Sequence, residues 1–508
     1  MLHIALQALA DLFTLERLGY LALGVLVGLI VGLVPGLGGV AGMSLLLPFV
    51  YGMDPSSAMA LMIGIMAANH TSDTFPAVLV GVPGSAGAGA TVMDGYPLAK
   101  QGKAAVALGA SFTASMLGGL IGAAVLFAVL PVFRPLILSF GSPELFMLTL
   151  LGISTVAILA KGRMVKGLLA AAFGLLLSTV GGAPASADYR YTFDWPYLSD
   201  GLNIALVAMA VFALPEFIDL LRRNKPISQV TDDLTTGRFD GAKESLKRPG
   251  LIARSSGMGA LLGAIPGVGG SAVSWIVYGL TARMARVRDR FGKGDIRGVI
   301  APEAANNAME GGQLIPAIMF GIPGSGTTAV LLGGLVLVGL QPGPEMVSDA
   351  NLPVVLTIVW SLAVANILAT GVCFSLRNTV AKLCLIPARR LVPFLFAAVV
   401  LAVYQNGRDW GDIAMLLGIG AFSWFALQAG WSRAAFVVGF VLGPPAERYL
   451  WISMGRYDFD WLTRPGVVAV GIAIIAVLSA GLLRRRPKPA APAPAPTEST
   501  LETTGSAK

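Results

Sequence analysis

Continuous apolar runs decide the solvent in which this chain can fold. Stretches such as YLALGVLVGLIVGLV (20–34), LIGAAVLFAVLPVF (120–133), GLLAAAFGLLLSTV (167–180) and VVAVGIAIIAVLSAGLL (467–483) approach the roughly 20 apolar residues that cross a hydrocarbon core. Charged residues make up 13% of the 508, against about 25% in an ordinary soluble domain. Mean hydropathy is +0.75. The reading is an all-α polytopic membrane protein, because barrel strands would alternate polar and apolar residues over segments of about ten.

The net charge of +8 then has a different meaning from the one it has in water. Most Lys and Arg sit in short loops, where they report orientation rather than a nucleic-acid partner. Cys373 and Cys384 lie in or beside apolar segments, which argues against a disulfide framework or a thiolate metal cluster. Residues 1–17 lack the basic region and small-residue cleavage site of a signal peptide and are expected to form an interfacial amphipathic helix. At the other end Arg484, Arg485 and Arg486 form a basic stop, and residues 487–508, rich in Pro, Ala and Thr, are expected to be a disordered cytoplasmic tail.

The longest polar interval, residues 222–254, has the mixed charge of a cytoplasmic loop and separates a first transmembrane half (18–221) from a second (255–486). The halves share two motifs in the same order. GLVPGLGG (32–39) answers GAIPGVGG (263–270), with 231 residues from Pro35 to Pro266. AANHTSDTFPAVLVGVPGSAGAG (67–89) answers AANNAMEGGQLIPAIMFGIPGSGTT (304–328), with 240 residues from Pro83 to Pro323. Such matches point to internal duplication.

Charge indicates how the two copies are oriented. In the first half the segment between the motifs carries no Lys or Arg, and the basic loop with Lys100 and Lys103 follows the second motif. In the second half RMARVRDRFGKGDIR (283–297) lies between the motifs, and QPGPEMVSDANLP (341–353) after them has no cation. Equivalent loops therefore fall on opposite sides of the membrane, and the expectation is two inverted repeats. The same bias puts 161–166, 222–254, 377–390 and Arg433 inside, and the acidic, aromatic loops 185–200 and 451–461 outside. Arg134 and Arg408 fall on the wrong side. The N-terminus comes out external and the C-terminus cytoplasmic, over about 12 spans.

Each motif interrupts an apolar run with Pro and paired Gly. Proline removes a backbone donor and glycine loosens the helix, so broken helices and re-entrant hairpins are expected. In lipid, opened backbone is tolerated only against protein or a wet cavity. There it offers carbonyls to a cation and half-helix N-termini to an anion, the usual signature of a secondary transporter's site. The candidate cation site comprises Pro35, Gly36, Gly38, Asp73, Pro266, Gly267 and Gly269. The candidate substrate site comprises Gly84 and Ser85 of the first PGS turn and Gly324, Ser325, Thr327 and Thr328 of the second, their hydroxyls placed beside a helix N-terminus to meet a carboxylate. Asn69, Asn306 and Asn307 add amides at membrane depth. His70, Glu303 and Glu310 are ionisable residues in the same neighbourhood, and Glu303 follows the basic loop closely enough to sit at its cytoplasmic mouth.

Plainer readings stand beside these. Small residues in a membrane bundle let helices approach, and Ser or Thr often bonds its own helix. His70 serves a structural hydrogen bond as readily as proton carriage. GIPGSGTT lacks the lysine of a phosphate-binding loop and follows no soluble strand, so it is not a nucleotide site. Two histidines, His3 and His70, leave no basis for a histidine-rich catalytic metal site. A passive anion channel, or a hydrolase pairing Ser85 or Ser325 with His70, remains as an alternative to a carrier.

The segments VPGLGG, AANHTSDTFPAVLVGVPGSAGAGATVMDGYPLAKQGKAAVALGAS, IPGVGG, EAANNAMEGGQLIPAIMFGIPGSGTTAVLLGGL and LQPGPEM closely resemble the large membrane subunit, TctA type, of tripartite tricarboxylate transporters, over about Leu18 to Arg484. The resemblance implies a bacterial inner-membrane carrier for carboxylates. It implies two partners, a small membrane subunit (TctB type) and a periplasmic solute-binding protein (TctC type) that delivers the substrate. It also implies coupling to Na⁺ or H⁺, with no tightly bound cofactor and no enzymatic activity. The turns GSAGA and GSGTT differ, so the second half would contribute more hydroxyls and the first more backbone.

Overall fold

The computed structural model describes every residue except 34–37, 159–163, 184–185, 187, 223–236, 267, 286–289, 376–391, 394–395, 398, 402, 405–407 and 484–508. Pro35, Gly36, Gly267 and the expected tail with its basic stop therefore lie outside the described residues. Among the described residues the chain is helical apart from a short antiparallel ladder pairing Gly181 with Arg190 and Gly182 with Tyr189.

Two helices buried on nearly every face occupy the centre, α4 (Pro55–Ser72) and α15 (Arg297–Phe320). A helix buried all round must be surrounded by other elements, and the polar residues of these two must find their partners there. Helix α4 begins with Pro55 in its first turn and Asp54 Oδ2 accepting from the Ser57 N–H at 3.1 Å. Along α4 lies α2 (Leu15–Leu33), which approaches through Gly24, Gly28 and Gly32; a Cβ on Gly28 would stand 2.6 Å from Ile65 O. Along α15 lies α13 (Pro249–Gly263), where a Cβ on Gly263 would stand 2.6 Å from Met309 O. The 231-residue spacing carries Gly28 to Gly259 and Gly32 to Gly263, and these pairs make matching approaches to α4 and α15.

On either side of both first motifs the described helices stop and restart. Helix α2 ends at Leu33 and α3 (Gly38–Val50) begins with Gly38 at φ +60°; α13 ends at Gly263 and α14 (Gly269–Met284) begins with Gly269 at φ +68°. Left-handed backbone at both positions explains why glycine stands there.

After the second motifs the halves diverge locally. The second half restarts at once as α16 (Gly326–Leu337), whereas Ser85 leads into a 3-10 turn, Gly87–Gly89. Ser85 therefore does not sit at an α-helix N-terminus as expected, because Gly-Ala-Gly is too poor a helix former to hold one. The chain reaches that turn from α4 through α5 (Thr74–Leu79) and leaves it through α6 (Val92–Lys100).

The next long helix of each half packs on the central helix of the other. Helix α7 (Ala104–Leu138) crosses α15, with Gly118 and Gly122 against the backbone of Ala304 and Ala308, and α17 (Leu352–Ser375) packs on α4. A peripheral group joins α8 (Ser142–Ile158) and α9 (Met164–Leu177) to α19 (Arg433–Tyr457) and α20 (Pro465–Leu483); Gly174 and Gly439 let α9 and α19 touch backbone to backbone. Helix α10 (Ile204–Ala208) widens into a π-turn, Met209–Ala213, before α11 (Leu214–Arg222). The freed Val211 carbonyl accepts from Ser423 Oγ of α18 (Trp410–Gln428) at 3.0 Å.

Two segment boundaries differ from expectation. The N-terminal helix α1 (Leu2–Leu12) rests on α17, with Ala5, Ala8 and Leu12 buried and Trp360 Nε1 donating to Ala5 O at 2.8 Å, and α2 starts at Leu15 rather than 18. The polar interval 222–254 includes a helix, α12 (Arg238–Leu246), and the first turns of α13. Helix α12 docks on α7 because Gly241 lies on the backbone of Val106 and Ala110, and Ser245 Oγ donates to Ala110 O at 2.7 Å. Its charged exterior concealed that small-residue face.

Helices α2, α7, α17 and α18 are each long and apolar enough to cross a membrane. Shorter apolar pieces such as α3 and α16 are what remains where the motifs cut the runs.

Candidate substrate and cation site

The two kinds of motif meet at the centre of the molecule. A Cβ on Gly39, the second residue of α3, would lie 3.0 Å from Asn69 Nδ2 on α4 and 3.2 Å from Thr327 Cγ2 on α16. A Cβ on Gly270, the second residue of α14, would lie 3.3 Å from Asn306 Oδ1 on α15 and 3.6 Å from Gly87 Cα in the 3-10 turn. Gly39 corresponds to Gly270, Asn69 to Asn306, and Thr327 to Gly87 in the shared motifs, so one set of neighbours occurs twice. Each set takes its PGS turn from the half that does not supply its asparagine. Gly84 packs against Gly32 and Asp73, and Gly324 against Gln313 and Gly263, which seats each turn on a break.

The amides are poorly satisfied. Asn69 is buried with neither Oδ1 nor Nδ2 partnered, and Asn306 Oδ1, Asn307 Oδ1 and Gln313 Nε2 are also without a protein partner. Buried polar atoms are nearly always bonded, so such a concentration marks a place where a ligand, ion or water completes the bonding. Asn307 is anchored otherwise: its Nδ2 donates to Thr71 Oγ1 at 3.2 Å and to Asn366 Oδ1 at 2.8 Å.

The ionisable residues lie between α4 and α15. His70 Nε2 is 2.7 Å from Glu310 Oε1, and Nδ1 is 3.2 Å from Asn306 Nδ2 and 3.6 Å from Asp73 Oδ2. Asp73 also accepts the Ser85 hydroxyl, whose oxygen in turn accepts from the Gly87 N–H at 3.1 Å. Asp73 Oδ1 and Glu310 Oε2 have no hydrogen-bond partner. Glu303 is fully buried, with Thr74 and Ser115 donating to Oε2 at 2.8 and 3.0 Å and Thr91 to Oε1 at 2.5 Å. It is therefore not at a cytoplasmic mouth; three hydroxyls replace the water that its position near the basic loop suggested.

The expected substrate hydroxyls are differently engaged. Ser325 and Thr328 form a reciprocal capping box, Ser325 Oγ accepting from Thr328 N at 3.3 Å and Thr328 Oγ1 from Ser325 N at 2.8 Å. Thr327 Oγ1 is 2.7 Å from Ser325 Oγ, at the turn where α16 begins. Of the proposed cation residues, Gly38 and Gly269 start their half-helices, Pro266 sits in the turn before α14, and Asp73 belongs to the His70 cluster. Thr71, Gln313 and Asn366 belong to the polar network without having been singled out from the sequence; a lone Asn inside the apolar run of α17 was the available signal.

No Ser–His pair forms here, since Ser85 bonds Asp73 and Ser325 bonds its own turn. A cavity of about 430 Å³ lies at the far ends of α15 and α16, lined by Gly321, Gln341, Asn203, Tyr449 and the bidentate pair of Arg190 with Glu447 at 2.9 and 3.0 Å. The cluster of unpartnered amides, not this cavity, holds the motif chemistry.

The chain is 29% identical over 465 residues to an uncharacterized 52.8 kDa protein in the TAR-I ttuC' 3' region of Agrobacterium vitis, covering 89% of this chain and 91% of that one. It is 29% identical over 234 residues to an uncharacterized protein in the TAR-II ttuC' 3' region of the same organism, covering 45% of this chain and 96% of that one. No solved structure matches. Residues 18–438 match the tripartite tricarboxylate transporter TctA family, so this all-helical membrane chain belongs to that family and is a tricarboxylate transporter component, not an enzyme.

Proposed function

We propose that the protein is a cation-coupled secondary transporter that imports carboxylates by alternating access around a site between two inverted repeats of about 12 spans in all. The observation that carries this is the double meeting of Gly39 with Asn69 and Thr327 and of Gly270 with Asn306 and Gly87, which sets the second residue after each break against the other half's PGS turn. Backbone N–H groups and hydroxyls of the turns hold carboxylate oxygens; opened carbonyls with Asn69 and Asp73 hold the coupling ion, Na⁺ or H⁺. A periplasmic binding protein of TctC type delivers the substrate, and a small TctB-type subunit completes the complex in the bacterial inner membrane, with the C-terminus cytoplasmic. Family membership supports partners of that kind.

The experiment is uptake of labelled di- and tricarboxylates by cells or proteoliposomes carrying Ser325→Ala or Thr327→Val. Removing one hydrogen bond to a charged ligand weakens binding by about 1.5–3 kcal/mol, so KM should rise about 10- to 100-fold at equal protein levels. Unchanged kinetics in both variants would sink the assignment of these hydroxyls to the substrate. Accumulation against a gradient that collapses with an ionophore separates the carrier from a channel.

A further inference from the structure

At His70 the polar centre departs from its own duplication. The equivalent position in the second half is Asn307, which donates to Thr71 and Asn366. His70 instead lies between two carboxylates that are themselves equivalent in the shared motif, Asp73 and Glu310. Its ring also touches the PGS region through Asn306 and, by way of Asp73, Ser85.

The contacts of the ring single out one tautomer. With Asn306 Nδ2 donating to it at 3.2 Å, Nδ1 is the acceptor and the ring proton resides on Nε2, on the side where Glu310 Oε1 lies 2.7 Å away. In that tautomer His70 is neutral, and both nearby substrate-site donors are occupied: Asn306 by the ring, Ser85 by Asp73.

Adding one proton at Nδ1 changes all of this at once. An N–H bond forms on Nδ1 with a proton taken from a hydronium, leaving water. Asn306 Nδ2 then faces a donor and must turn away. The new N–H points to Asp73 Oδ2, now 3.6 Å off, and competes there with the Ser85 hydroxyl. Asn306 Nδ2 and the Ser85 hydroxyl become available to an anion beside Gly87 and Gly270, while the new charge on His70 offsets part of that of Asp73 and Glu310. On deprotonation Nδ1 again accepts from Asn306, Ser85 returns to Asp73, and the anion loses its partners.

The groups facing His70 are Asp73 at the end of α4 and, from α15, Asn306 and Glu310, with Glu303 behind Asp73 in its cage of hydroxyls. Helices α3, α5 and α16, packed nearby, carry no Asp, Glu, His, Lys or Arg. The charges of α2 and α7 are spent elsewhere, Arg17 on Asp11 and Asp54 and Arg134 on Asp349; Glu16 and Tyr20 sit at the far end of α2 from Gly32, and Cys373 of α17 is two turns beyond Asn366.

We propose that the coupling ion is a proton, bound at His70 Nδ1 in place of a metal cation on the opened carbonyls, and that its binding releases Ser85 and Asn306 to hold the substrate carboxylate. This rests on the carrier reading above. It is tested with the large subunit, its small subunit and its binding protein in sodium-free proteoliposomes loaded with a pH-sensitive dye, using labelled citrate and tartrate as probes.

An acid-outside gradient should drive accumulation and acidify the lumen, and a sodium gradient at equal pH should drive none. The KM for counterflow in the wild type should rise toward about tenfold per pH unit on the alkaline side, whereas His70→Gln should show a raised KM that no longer varies with pH. Accumulation driven by sodium, substrate entry without lumen acidification, or a pH-dependent KM in His70→Gln would overturn the proton assignment. The wild-type measurements decide the question even if the variant fails to insert. Absence of any counterflow in the wild type would instead overturn the carrier reading on which it rests.

Discussion

At the residue scale, the centre depends on atoms that are missing as much as on those present. Gly87 has Asn306 Oδ1 where its Cβ would go. Gly87→Val should therefore displace Asn306 and reduce uptake by at least about tenfold, whereas Gly89→Ala, whose nearest neighbour is Trp275 Nε1 at 3.5 Å, should transport normally. Equal loss in both would show that the turn tolerates no side chain and that the position of Asn306 is not the cause. Glycine and proline act locally, which is why the breaks at Gly38 and Gly269 were legible in the sequence. The Glu303 cage was not, since Thr74, Thr91 and Ser115 come from three separate segments that only packing brings together. The His70–Glu310 pair likewise needs α4 and α15 to cross, and no local pattern announces a crossing.

At the scale of elements, the basic loop before α15 is clasped by one carboxylate. Asp94 of α6 is buried and accepts from Tyr278 Oη at 2.8 Å and from the N–H groups of Gly292, Gly294 and Asp295 at 2.9, 2.9 and 2.8 Å. Asp94→Ala strands those donors at about 1–3 kcal/mol each, so limited proteolysis should cut the 283–297 loop several-fold faster; an unchanged digestion rate would contradict the clasp. Next to it, burial pushes the Asp295 carboxyl upward, but the Arg297 guanidinium at 2.6 Å and its backbone N–H more than offset this and hold it below the ordinary Asp value. A depressed folded value means the contribution is complete above the unfolded pKa, near 3.8, and is lost as pH falls through the lower folded one. Asp295→Asn should accordingly lower loop protection at neutral pH towards its acid value and leave the acid end nearly unchanged, flattening the acid limb, as read by proteolysis across pH. Helix α12 was hidden for a related reason: its docking face is Gly241 and Ser245, small residues that composition counts as polar loop.

At the scale of the whole molecule, each half supplies the partner for the other's central helix, α7 on α15 and α17 on α4. This exchange has a consequence for how the protein is made. A ribosome that has finished α4 must add about 280 more residues before α17 begins, roughly 15–55 s of synthesis, and throughout that interval one flank of α4 lacks its final neighbour. For about 235 of those residues His70, Thr71 and Asp73 also lack Asn306, Asn307 and Glu310, which later surround them. The first half is thus an unfinished client rather than an independently completed domain, held open until the second half is translated.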